Sequence, residues 1–192
     1  MKHAFRLVAT LLLLVAAVPA HAAVTITFWS HELGNSFPHA FFTLRGVPDA
    51  GGTSVDANYG FTAKSVSPAI LMGAVAGKVE AATPRYMAGS TAQFSASLTD
   101  AQYADMLALA ALWGGSGEES RYRLNSHNCV HFVQEAARRA GLVDLDRPKL
   151  MKRPRSYLQS IAQANAARVT IIDKPGREYL PTLPALAPPT AR

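Results

Sequence analysis

The sequence predicts an α+β domain in which an antiparallel sheet packs against helices. Two patterns carry this prediction. β-Branched alternation and glycine-rich turns dominate the first half, whereas helix caps and 3.6-residue spacing dominate the second. Length agrees: the 192-residue chain less an N-terminal leader of 22 leaves 170, enough for one domain with a core.

The leader comes first. Lys2, His3 and Arg6 precede an apolar stretch over 7–18, and Ala20-His21-Ala22 places small residues around a cleavage point. Residues 1–22 are therefore expected to be a signal peptide cut after Ala22, delivering the chain to the periplasm or the outside. The apolar stretch is short for a bilayer span.

Residues 24–29 alternate as a strand, and 40–45 follow as a second. The turn chemistry of 46–52 joins the second strand to a third over 53–61, and so short a polar connection implies an antiparallel pair. Residues 65–82, broken by Pro68, Gly73 and Gly77, read as a loop or short helix and then a weak strand. Thr99 and Gln102 form a capping box before Tyr103, Met106, Leu107, Ala110 and Trp113, which recur at helical spacing until Gly114-Gly115. Asn128 can cap the next helix, whose apolar stripe is Val130, Val133, Ala136, Ala137 and Ala140 before Gly141. A further helix over 156–167 and a strand over 168–172 complete the domain, set at 23–174. The proline-rich tail, 175–192, lacks core periodicity and is expected to be extended or disordered.

Charge excludes some functions. Of 19 Lys+Arg, Lys2 and Arg6 leave with the leader, so 17 stand against 13 Asp+Glu for a net +4. That excess suits an acidic envelope and is too small to argue for nucleic acid, whose motifs are also absent. The basic run over 147–155 reads as a solvated connector or as a contact with an anionic surface.

Chemistry centres on Cys129, the chain's one cysteine, which cannot form an internal disulfide. It stands at a helix start, where the dipole and free amides stabilise a thiolate. Such a nucleophile needs a base, and His39 heads the second strand. His127 and His131 flank the thiol but share no clean helical face with it, so no metal site is expected.

The segment Pro38-His39-Ala40-Phe41-Phe42 and the later Asn128-Cys129-Val130-His131-Phe132-Val133 resemble motifs of the circularly permuted NlpC/P60 superfamily. The likeness is to its lecithin:retinol acyltransferase-like branch, with a cysteine segment of the form Asn-Cys-x-His-Phe. It implies a papain-like domain in permuted order, histidine strand before cysteine helix. It implies Cys129 as nucleophile, His39 as general base and a third, ring-orienting residue on the following strand. Asp56, Asn58 and Tyr59 qualify there; Asp56 and Asn58 share one face, and the neutral amide of Asn58 is favoured. Asn128 and Tyr122 are assigned to the substrate or oxyanion. No metal or cofactor is required.

The expected activity is therefore that of an exported monomeric cysteine hydrolase, an amidase or peptidase cutting cell-wall peptide. One alternative is a lipid thioesterase, phospholipase or acyltransferase at the membrane surface, with the apolar residues of 69–79 against the bilayer. The other is a non-catalytic binding protein, which requires a buried Cys129 without His39 in reach.

Overall fold

The computed structural model describes residues 24–32, 37–65 and 67–186. The expected signal peptide, 1–22, and the end of the tail, 187–192, lie outside the described residues.

Seven strands form one antiparallel sheet: β1 (Thr25–His31), β2 (His39–Gly46), β3 (Val55–Ala63), β4 (Val75–Glu80), β5 (Thr91–Ser97), β6 (Arg121–Tyr122) and β7 (Thr170–Pro175). Their order is β6-β4-β3-β2-β1-β5-β7. The described α-helices are α1 (Ala69–Met72), α2 (Pro84–Ala88), α3 (Asp100–Gly114), α4 (Cys129–Arg139), α5 (Pro154–Ala164) and α6 (Gly176–Tyr179). The α+β class is thus observed, as is the hairpin that pairs Gly46 with Val55.

The pleat sends alternate side chains to opposite faces. On one face Phe28, Ala40, Phe42, Leu44, Phe61 and Phe94 meet Trp113, Phe132, Val133 and Tyr157 from α3, α4 and α5. The predicted capping box fixes the start of α3: Thr99 accepts from the amide of Gln102, whose side chain accepts from the amide of Thr99. Each fully buried aromatic on this face contributes roughly 2–3 kcal/mol of apolar transfer free energy. This is the main core.

The other face carries a smaller cluster, Trp29, Phe41 and Ala92, covered by Tyr86 and Met87 of α2 and by Tyr179 and Leu180. Here the tail departs from expectation. Gly176 donates to Ser90 O at 2.7 Å, the ring of Tyr179 lies 5.7 Å from Trp29, and Arg45 reaches Pro184 O at 2.8 Å. Through residue 186 the tail is a folded cover over the second face, held by tertiary contacts that leave no periodic signature in sequence.

Two irregularities lie near the end of β2 that holds His39. The partners of β1 step from Phe94 to Ala92, so Gln93 is the extra residue of a β-bulge. Its side chain is buried and donates to Ser30 Oγ at 3.0 Å, while its Oε1 has no partner among the described residues.

Candidate active site

Cys129 is the first residue of α4, and Asn128 is its cap. The Asn128 Oδ1 accepts from the amides of Val130 at 2.8 Å and His131 at 3.3 Å, while its Nδ2 donates to Leu124 O at 2.8 Å and Met151 O at 2.9 Å. With both ends of the amide engaged, Asn128 organises the helix start.

The thiol is only 7% exposed. It faces the main core, with the backbone N–H groups of Ala40, Val130 and Cys129 itself in electrostatic reach, although the Val130 N–H is committed to the Asn128 cap. Those amides favour a thiolate, as the sequence predicts, but burial outweighs them and pushes the thiol up to about 11. Cys129 is therefore a protonated thiol at neutral pH. The Tyr122 phenol stands in electrostatic reach of it; burial first and Cys129 second hold that phenol above its usual range.

His39 begins β2, and the amide of the next residue, Ala40, lies in electrostatic reach of the thiol. Backbone adjacency is thus achieved, yet the side chains diverge. Ala40 points into the main core beside Cys129, whereas His39 takes the opposite face with Phe41. Its ring lies 6.5 Å from Tyr86, edge-on, and among the described residues no hydrogen bond joins it to Cys129.

Burial first, and the neighbouring His31 second, lower the His39 pKa to about 4. His31 is its cross-strand partner, stacked on Tyr86 at 4.1 Å with Nδ1 3.0 Å from Ser90 Oγ. Because Ser90 Oγ donates to Tyr86 O at 2.8 Å, the His31 Nδ1–H is the donor to Ser90. The unfolded imidazole, with a pKa of about 6.5, binds its proton before the folded one. Stability from His39 is therefore complete above about pH 6.5 and declines as pH falls to about 4, by at most about 3 kcal/mol. Urea unfolding at pH 7 and pH 4.5 checks this: His39→Gln is expected to lose less stability on acidification than the wild type.

Among the described residues no hydrogen bond joins Asn58, the favoured third residue, to His39. Asn58 is opposite Thr43 of β2. Its amide donates to Ala82 O at 3.3 Å and accepts from Ala82 N, which ties down the approach to α2. Asp56 lies further along, paired with Arg45. Tyr59 takes the other face, its ring 5.6 Å from Phe42.

The residue that shapes the His39 ring is Gly60. A Cβ there would stand 2.6 Å from His39 Nε2 and 3.2 Å from Phe41 Cβ. Gly60→Ala must displace the movable imidazole, at a cost of about 1–2 kcal/mol. Histidine NMR is expected to show the His39 pKa rising from about 4 towards its ordinary value as the ring leaves its bed.

The flanking histidines have separate places. His127 stacks on Trp113 at 3.8 Å and lies 2.9 Å from Glu119 O through Nε2. The Nδ1 of His131 meets Asn128 Oδ1 at 3.0 Å. No group of three metal-ligating side chains occurs among the described residues, and no described helix is long and apolar enough to cross a membrane.

Sequence reasoning did not select His31, Tyr86, Ser90 or Gln93 as a set. Of these only His31 stood out in the sequence, as one of Phe28, Trp29, His31 and Glu32, which precede the His39 motif and could line a cleft. Protein-family models, curated proteins and solved structures contain no match to this chain.

Proposed function

We propose that this chain is an exported cysteine hydrolase working through a Cys129 thioester, on a papain-like domain of permuted order, and that the arrangement described above is its resting form. The observation that carries the reading is the thiol itself. It sits at the start of α4 with the backbone N–H groups of Ala40, the residue following His39, and of Cys129 itself in reach. Donors gathered around one sulfur suit an oxyanion formed next to it.

In the working form the His39 end of β2 turns its imidazole to the Cys129 side. The ring takes the thiol proton as Sγ bonds to the substrate carbonyl carbon. The imidazolium then protonates the leaving amine as the C–N bond breaks. Water hydrolyses the thioester, releasing a carboxylate and restoring the thiol. An amide in cell-wall peptide is the proposed substrate class, and a lipid ester is the alternative.

A second reading has its own support. A nearly inaccessible thiol with the imidazole across the sheet is what a non-catalytic binding protein on this scaffold would keep. Reaction with p-nitrophenyl acetate separates the two. For a hydrolase, the peptide carrying Cys129 gains an acetyl group, Cys129→Ala abolishes that gain, and His39→Ala slows it by about 10²–10⁴. Equal acylation of wild type and His39→Ala identifies the binding protein.

A further inference from the structure

Between the start of α4 and the 146–153 segment lies a cleft of about 540 Å³. Its lining includes His131, Lys149, Lys152, Arg153 and a single carboxylate, Asp146. With His131 neutral, three cations against one carboxylate leave a formal excess of two positive charges on the cleft wall. Neighbouring acids do not cancel it: Asp144 pairs with Arg147 at 2.8 Å, and Asp173 approaches Arg155 at 3.9 Å. Among the described residues no ion pair reaches Lys149, Lys152 or Arg153.

The cleft is attached to the folded core. The buried Asn128 donates to Met151 O, within the lining segment, and holds His131 through Nδ1. That leaves Nε2 as the ring nitrogen available to a ligand. Gln134, also in the lining, donates to Leu145 O at 2.9 Å and fixes the segment on its other side.

We propose that this cleft binds the phosphoryl group of a ligand, with Lys149, Lys152 and Arg153 supplying charge and His131 supplying a ring nitrogen. A phosphomonoester carries about −1.5 to −2 charges near neutral pH and accepts several hydrogen bonds, which matches the excess charge and the mixture of donors. Asp146 opposes the anion and sets a limit on affinity. The site does not depend on the catalytic reading of Cys129. Bound phosphoryl also favours the imidazolium form of His131, against the burial and the His127 proximity that lower its pKa.

Two phosphoryl sources share this chemistry, a soluble compound and a lipid headgroup. The test is a titration of the protein with inorganic phosphate at constant ionic strength, read by NMR at the His131 ring. A saturable shift with a raised His131 pKa is expected, with affinity at least tenfold weaker in a Lys152→Glu, Arg153→Glu double variant that retains its melting temperature. Lys149→Glu gives an independent second variant. Vesicles of phosphatidylglycerol in phosphatidylcholine then distinguish the sources. Binding to them that phosphate competes away assigns a lipid headgroup, whereas phosphate binding without vesicle binding assigns a soluble ligand. No saturable response to phosphate, or one unchanged in the folded variants, overturns the proposal.

Discussion

Asn128→Ala is expected to destabilise the protein by about 3–4 kcal/mol, read as a lower urea midpoint. The change removes a helix cap, worth about 1 kcal/mol. It also strips two donors from Leu124 O and Met151 O, at roughly 1 kcal/mol each or more where those carbonyls stay dry. Asn128→Asp separates these contributions. Aspartate keeps the cap and suits the helix dipole, but it turns a carboxylate oxygen towards the same two carbonyls. If capping dominates, the aspartate variant approaches wild-type stability. The network described here predicts instead that aspartate is nearly as damaging as alanine, and that both loosen the segment around Met151.

That residue also shows which parts of the molecule were legible in advance. Local chemistry was readable: the caps at Thr99 and Asn128, the antiparallel hairpin after β2 and the helix ends all follow from short-range rules. The face taken by His39 was not. In His39-Ala40-Phe41-Phe42-Thr43-Leu44 both alternate sets carry apolar side chains, because both faces of the sheet are covered. Periodicity therefore could not assign His39 to the side of Cys129. The position of Asn58 was not legible for a related reason. Register across β2 and β3 pairs Thr43 with Asn58, and only the conformation of the intervening loop decides that pairing. The helix start at Cys129 is visible in sequence, whereas the burial that opposes its effect on the thiol is tertiary. The tail was misread because Tyr179 and Leu180 pack on Trp29, a partner some 150 residues away in the 192-residue chain.

These corrections alter the chemistry expected of the dyad. With the thiol near 11 and the imidazole near 4, both groups are neutral across the physiological range. A preformed thiolate–imidazolium pair is not the ground state. In the proposed reaction the thiol proton moves during the chemical step, and the contribution of His39 as the proposed general base depends on its protonation and on reaching the sulfur. Gly60 bears on that reach, since the ring's bed on the far face exists only while residue 60 lacks a Cβ.

The decisive measurement is the rate of Cys129 alkylation by iodoacetamide from pH 3 to pH 11.5, within the folded range, in the wild type and in His39→Ala. Two routes to reaction are separable by pH. The thiolate route climbs towards about 11, and the base-assisted route switches on as His39 loses its proton near 4 and then holds level through neutrality. The account predicts a neutral-pH plateau in the wild type that falls by about 10² or more in His39→Ala, with the alkaline climb retained. A single climb towards high pH, identical in both proteins, would contradict it and leave Cys129 as a core thiol in a binding protein.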